Sequence, residues 1–335
     1  MDKVTLNIYR FDPYRDQTPA YSEYSLDYNR NDQLLDLFER IKTEIDSTFA
    51  YRRSCRHGIC GSCAVKVAGK PVLACRTPVR LLTAEFGPLL TVSPLDESRV
   101  IHDLVSNMDG FWAKHEQVTP FLVPTKSLPN RSVPAASLPA GGTASDSHSH
   151  RTFETRFFDS SSAAAGDSDY CIQCGACYYV CPVVSVQPEF LGPAAITKAY
   201  RFIHDPRDTF GGRLQAVAEP GRGVWECIKC LKCTEVCPKH IDPFLKISRL
   251  HSAVFHSSSF TQNSRIRHTR GFQLDLMLNG LLNELPLALY ALRAGFVKMG
   301  LRGIKMILHG KVVLNPFRPR SKAYRQIRKL MRNSQ

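Results

Sequence analysis

Arg52-Arg53-Ser54-Cys55-Arg56-His57-Gly58-Ile59-Cys60-Gly61-Ser62-Cys63 carries three cysteines, and Gly69-Lys70-Pro71-Val72-Leu73-Ala74-Cys75 supplies a fourth. The spacing is C-x4-C-x2-C-x11-C. Further along, Cys171, Cys174, Cys177 and Cys181 read C-x2-C-x2-C-x3-C, closed by Pro182. Cys227, Cys230, Cys233 and Cys237 repeat that run 56 residues later, closed by Pro238. All twelve cysteines of the chain are thereby placed in three groups of four.

Three chemistries use cysteine groups of this kind. A disulfide framework belongs to secreted, usually short chains. This chain has 335 residues, and Met1 runs within three residues into the strand-like Val4–Tyr9, so no secretory leader is expected. Tight C-x-x-C-x-x-C runs also place neighbouring thiols badly for pairing with each other. Zinc prefers two C-x-x-C pairs drawn from separate knuckles. Four cysteines within eleven residues, followed by proline, suit a cluster that the chain wraps. The first spacing is that of plant-type [2Fe–2S] centres and the other two are bacterial [4Fe–4S] runs. In two-cluster proteins of the second kind, the fourth cysteine of each run ligates the other cluster. One [4Fe–4S] site is therefore expected on Cys171, Cys174, Cys177 and Cys237. The second is expected on Cys181, Cys227, Cys230 and Cys233. The [2Fe–2S] site falls to Cys55, Cys60, Cys63 and Cys75.

Elements flanking the first loop decide the fold. Val4, Leu6 and Ile8 alternate with polar residues as in a strand, and Ser22–Tyr28 reads as its hairpin partner. Asp32 opens a helix with Leu34, Leu37, Phe38, Ile41 and Ile45 on one face. Gly58 and Gly61 let backbone N–H groups crowd a cluster. His57, in the same loop, either tunes the cluster by hydrogen bonding or charge or is an exposed loop histidine. Ala64–Val67 and Pro71–Cys75 read as a hairpin turning at Gly69-Lys70, and Ile101, Leu104, Val105 and Met108 as a further helix. This order is that of a β-grasp ferredoxin. The expected class is α+β: a β-grasp [2Fe–2S] domain over 1–123, then a linker, an all-α bacterial-ferredoxin-like domain over 151–250 with two [4Fe–4S] clusters, and a basic helical extension over 251–335.

Residues 124–150 are rich in Pro, Ser, Ala and Gly and end in Ser147-His148-Ser149-His150, the composition of a flexible linker. Between the two runs, Pro193 starts a helix with Ile196, Ala199, Tyr200 and Ile203 on one face. Charge is unevenly placed. Residues 249–335 hold 16 Lys and Arg against Asp275 and Glu284, while residues 1–248 hold 28 of each sign, so the whole net charge of +14 sits at the C-terminal end. Leu289, Leu292, Phe296 and Met299 form one stripe there, with Arg293, Lys298, Arg302 and Lys305 elsewhere. That is a helix docked on protein or lying on an anionic membrane surface. No run reaches the roughly 18 apolar residues of a spanning helix; Pro286 and Arg293 interrupt the nearest candidate. Nucleic acid is not an expected partner, because the basic residues alternate with apolar ones and no reading motif is present.

The quoted cysteine stretches, together with Gly192-Pro193-Ala194 and Ala199-Tyr200-Arg201-Phe202-Ile203 followed by Asp205, Arg207 and Asp208, resemble the iron–sulfur subunit of succinate dehydrogenase and fumarate reductase over about residues 4–250. The resemblance implies an electron-transfer subunit between a flavoprotein carrying FAD, where succinate and fumarate interconvert, and a membrane quinone or anchor subunit. No catalytic acid, base or nucleophile set is expected on this chain. Gly221-Arg222-Gly223 lacks the third glycine of a dinucleotide fingerprint and follows no strand. Arg52, Arg53 and Arg56 either face the flavoprotein or are ordinary surface residues.

Departures from the family pattern carry information. The commoner members lack a cysteine at the position of Cys230 and hold a three-iron third cluster; Cys230 implies four irons here. Two tryptophans that border the quinone correspond to Ser185 and Val186, and a quinone-site histidine corresponds to Ile228. These changes resemble the non-classical branch, whose membrane partner carries cysteine-rich repeats. Alternatives are a related fumarate reductase with a thiol–disulfide acceptor and a free multi-cluster ferredoxin. Lacking a leader, the chain is expected at the cytoplasmic face of a bacterial inner membrane.

Overall fold

The computed structural model describes residues 2–123, 168–205, 207–208, 210–260 and 264–279, with isolated positions beyond. The 124–150 linker and the Leu289–Met299 stripe lie outside the described residues. Two compact units form, Met1–Leu250 and His251–Gln335. Within the second, a helix spans Ser264–Asn279.

The first unit is built on β1 (Asp2–Arg10). Its alternating Val4, Leu6 and Ile8 are buried, as a half-covered strand requires. β2 (Ala20–Tyr28) pairs antiparallel along one edge, with Leu6 opposite Tyr24. β5 (Leu89–Ser93) pairs parallel along the other, with Ile8 opposite Val92. A parallel neighbour needs a long connection, and the chain from Phe11 to Pro88 supplies it, β2 and the cluster loop included. β3 (Ala64–Val67) and β4 (Lys70–Leu73) complete the order β2-β1-β5-β3-β4. Their two-residue turn is Ala68-Gly69, both left-handed at φ 47° and 80°, one residue earlier than the sequence suggests. Pro71 lies in the edge strand β4, where a missing N–H is harmless.

α1 (Leu34–Arg40) starts with Asp36 accepting from the Gln33 N–H at 2.8 Å. Leu34, Leu37, Phe38 and Ile41 are buried on the sheet, but Ile45 is 54% exposed, against expectation. The chain widens into a π turn over Ile41–Ile45, which rotates Ile45 off the buried face. Phe38, Phe49 and Tyr51 pack with ring centroids 5.2–5.6 Å apart. Burying such a ring stabilises the fold by about 1.5–3 kcal/mol. A second helix, α2 (Val79–Phe86), precedes β5.

The helix expected around Ile101–Met108 is not formed. β6 (Val100–His102) and β7 (Val105–Ser106) pair there, and α3 begins only at Asp109, running to Glu116. The cause is Asp103, buried and left-handed at φ 45°. Its carboxylate accepts from the N–H groups of Phe11 (3.0 Å) and Ala50 (2.8 Å) and from Arg10 Nε (3.0 Å). Three tertiary hydrogen bonds to a carboxylate outweigh a weak local helical spacing.

The second half of this unit is helical: α4 (Ala176–Tyr179), α5 (Pro182–Val186), α6 (Gly192–Ile203), α7 (Gly212–Ala218) and α8 (Lys232–Glu235). On α6, Ile196, Ala199 and Tyr200 are buried and Ile203 is half-buried. Arg213 of α7 is 1% exposed and donates to the carbonyls of Thr119 (3.1 Å) and Phe121 (2.6 Å), just beyond α3. It also pairs with Asp208 and lies over the rings of Phe202 and Phe210 at 5.0 and 5.1 Å.

Beyond α6, Asp205 accepts from the Arg207 N–H (3.0 Å), Nε (2.9 Å) and Nη2 (2.8 Å), and pairs with Arg201. The Arg207 hydrogen bonds come first in holding its carboxyl down from the ordinary 3.8 to about 2. The stabilisation, about 2 kcal/mol, is therefore complete above pH 3.8 and lost as pH falls toward 2. At pH 7, Asp205→Asn should lower the thermal midpoint by roughly 5 °C; an unchanged midpoint would show that the carboxylate contributes nothing.

Candidate metal centres

The first loop is shaped by left-handed residues. Arg56, Gly58 and Gly61 have φ of 57°, 68° and 71°, which turns successive N–H groups inward as a nest. The N–H groups of His57, Ile59 and Cys60 all reach Cys55 Sγ at 3.3 Å. Cys75 N–H lies 3.5 Å from Cys63 Sγ. Hydrogen bonds from Ile59, His57 and Cys60 hold the Cys55 thiol down at about 6, whereas burial pushes Cys63 up to about 12. The loop thus has a hydrated side and a dry side: Cys55 and Cys60 are half-buried, Cys63 and Cys75 buried. The backbone of His57, not its exposed ring, reaches a cysteine sulfur. Gly58 donates no such bond here; a Cβ at its position would stand 2.5 Å from Arg76 Cγ. Arg53 and Arg56 both pair with Glu39, Arg56 Nη2 at 2.8 Å.

The two later runs share one backbone plan. Gln173 and Gly175 in the first, and Lys229 and Leu231 in the second, are left-handed at φ 53°, 83°, 60° and 65°. Gly175 and Leu231 each precede a short helix, α4 and α8. Leu231 accepts a backbone strain of about 1–2 kcal/mol that glycine avoids at the matching place. Such insistence on one geometry is what a shaped cavity demands.

Two small recesses, partly open to solvent, are lined by the eight cysteines. Cys171, Cys174, Cys177 and Cys237 line the first with Ala194 and Ile241. Cys181, Cys227, Cys230 and Cys233 line the second with Phe190, Ile228 and Ile247. The fourth cysteine of each run lies in the other run's recess. Desolvation pushes Cys174 up to about 11, Cys233 to about 12 and Cys177 well above the ordinary thiol range. Four soft sulfur donors in an apolar wall suit a thiophilic metal that displaces the protons. Among the described residues, no three His, Cys, Asp or Glu side chains gather tightly enough for one metal ion. A multi-iron cluster, which spreads its thiolates around several metals, fits these recesses better than zinc with its ligands about 2.3 Å from one centre.

Exposure differs sharply around the second recess. Cys230 is exposed while Cys233 is buried. Ile228 (63%) and Leu231 (45%) form an exposed apolar rim, and Val186 of α5 is 80% exposed. Ser185 is also exposed, and its hydroxyl turns back to the Pro182 carbonyl at 2.8 Å.

The two halves meet at the cysteine loops, a contact sequence reasoning missed. Ile172, Cys174 and Tyr179 pack against the core of the β-grasp sheet. Gly61 abuts Cys174: a Cβ there would stand 2.8 Å from Cys174 Cα and 2.9 Å from the Ile172 carbonyl oxygen. The only hint in the sequence was a glycine between two ligand-spaced cysteines.

Comparison with known proteins assigns these centres to a class. A family model described as a 2Fe-2S iron-sulfur cluster binding domain matches residues 5–113, and one described as a 4Fe-4S dicluster domain matches 167–241. The chain is an α+β iron–sulfur protein with a sheet domain ahead of a helical dicluster domain. It is 33% identical to the fumarate reductase iron-sulfur subunit of Haemophilus influenzae, covering 73% of this chain and 91% of that one. It is 32% identical to the succinate dehydrogenase iron-sulfur subunit of Paracoccus denitrificans, covering 73% and 85%. A chain of the Mycobacterium smegmatis Sdh1 complex in the apo form superposes with a TM-score of 0.59 at 26% identity, covering 75% of this chain and 95% of that one. The chain belongs to the family of succinate dehydrogenase and fumarate reductase iron–sulfur subunits. Among its described residues no helix is long and apolar enough to cross a membrane.

Proposed function

We propose that the chain passes single electrons through three clusters, between a flavoprotein subunit carrying FAD and a quinone or membrane-anchor subunit. Bound clusters supply one-electron carriers; the residues of this chain hold, space and insulate them. Cys55, Cys60, Cys63 and Cys75 hold a [2Fe–2S] cluster. Cys171, Cys174, Cys177 and Cys237 hold a [4Fe–4S] cluster, and Cys181, Cys227, Cys230 and Cys233 a second. The observation that carries this reading is the sorting of eight cysteines into two four-thiol recesses with the fourth members exchanged.

The exposed apolar rim around Cys230 and the polar or aliphatic residues at Ser185, Val186 and Ile228 favour hand-over to a protein partner with cysteine-rich repeats. A related reductase with a thiol–disulfide acceptor uses the same exit. The basic 251–335 segment supports attachment to an anionic membrane surface or to the anchor subunit at the cytoplasmic face of a bacterial inner membrane. One purification tests the whole reading. The full chain should sediment with membranes, co-purify with a flavoprotein, and carry about ten irons (two plus four plus four). Deleting 251–335 should release it. Recovery as a lone chain with zinc, or an undiminished membrane fraction after truncation, would refute the corresponding part.

A further inference from the structure

We infer that the backbone contact between Gly61 and Cys174 is the bridge by which electrons cross between the first two clusters, and that Gly61 is a positioning residue for that step. The inference rests on the cysteine assignments proposed above. Gly61 lies between Cys60 and Cys63 and is buried. Cys174 belongs to the first four-thiol recess. A Cβ on Gly61 would stand 2.8 Å from Cys174 Cα, 2.9 Å from Cys174 Cβ and 2.9 Å from the Ile172 carbonyl oxygen. Real Cβ atoms do not approach that closely, so any other residue forces the two ligand loops apart.

The consequence for electron transfer is direct. Tunnelling falls exponentially with the through-space gap, and covalent bonds carry it better than empty contacts. From either Cys60 or Cys63 the path runs through backbone bonds to Gly61, makes one van der Waals step, and lands on the Cα of a ligand cysteine. No electron donor beyond the neighbouring reduced cluster is needed: one centre is oxidised as the other is reduced. The contact is clamped from both sides. Arg52, Leu95, Leu104, Met108 and Tyr179 line the same seam, and Tyr179 is anchored in the β-grasp core. A Cβ on Gly175 would meet the Tyr179 ring at 3.0 Å and the Met108 methyl at 3.3 Å, so this wall too has little room to give.

The test uses the purified holo-complex and Gly61→Ala, with Gly69→Ala as the control for left-handed strain. Gly69 has φ +80°, and nothing lies within 4 Å of the position its Cβ would take. Iron analysis and visible spectra first establish that both clusters are loaded; a wild-type complex without them overturns the cluster assignments and the bridge together. In loaded protein, Gly61→Ala should weaken the spin–spin broadening of the reduced [2Fe–2S] resonance and slow reduction of the [4Fe–4S] centre several-fold after rapid mixing. Gly69→Ala should leave the broadening as in wild type. Unchanged broadening and transfer in loaded Gly61→Ala would overturn the bridge. Should Gly61→Ala fail to load, Tyr179→Leu loosens the same seam while keeping the glycine. Weaker broadening there supports the bridge, and wild-type broadening refutes it.

Discussion

Cys230→Ala should convert the third centre from four irons to three while leaving the rest of the complex intact. Iron content should fall by about one per chain, and the air-oxidised protein should acquire the paramagnetic signal of a three-iron cluster, which wild type is expected to lack. The variant is tolerated because Cys230 is the exposed member of its recess, with Cys233 buried against the helical core. Losing an exposed side chain at the rim creates no cavity, whereas Cys233→Ala removes a buried thiol from the proposed ligand set and should prevent the cluster from assembling. The three-iron centre, with one thiolate fewer, should also be the weaker reductant, which a redox titration of the signal measures. A variant that keeps all its iron and stays silent when oxidised would show that Cys230 is not a ligand.

Arg213→Met should be strongly destabilising to the first unit. The guanidinium is 1% exposed, pairs with the equally buried Asp208, and donates to the carbonyls of Thr119 and Phe121. Removing it strands the Asp208 carboxylate and two carbonyls in an apolar setting. Breaking one side of a buried pair costs about 3–5 kcal/mol. For a unit of this size the midpoint should drop by roughly 10 °C. Asp208→Asn combined with Arg213→Met should recover part of the loss, because the stranded charge is gone. A double variant no better than Arg213→Met alone would show that lost packing on Phe202 and Phe210, not the unpaired carboxylate, dominates.

Local pattern was legible and long-range pairing was not. The alternation of Val4, Leu6 and Ile8 marks β1, and Pro193 marks α6 within a residue. β5 carries little signal in Leu89–Ser93, because its place beside β1 rests on parallel pairing across a 78-residue connection. Asp103 read as a polar position in a helix, since nothing in the local sequence says that Phe11, Ala50 and Arg10 will all converge on it. Ile45 kept the helical spacing and lost its burial to a π turn. The cysteine groups were legible because ligand spacing is a local property. The Gly61 contact with Cys174 joins residues 113 apart, and its one local trace is the glycine itself.

The exchange of fourth cysteines between recesses also bears on biosynthesis. Cys237 lies 66 residues beyond Cys171, so the first recess lacks its last wall until nearly all of the helical half has left the ribosome. Cys181, conversely, waits for Cys227, Cys230 and Cys233. On the proposed ligand assignments, neither four-cysteine site is complete until the second run has emerged. Delivery of iron and sulfide to either site must wait for the second run, and both centres should mature together or not at all.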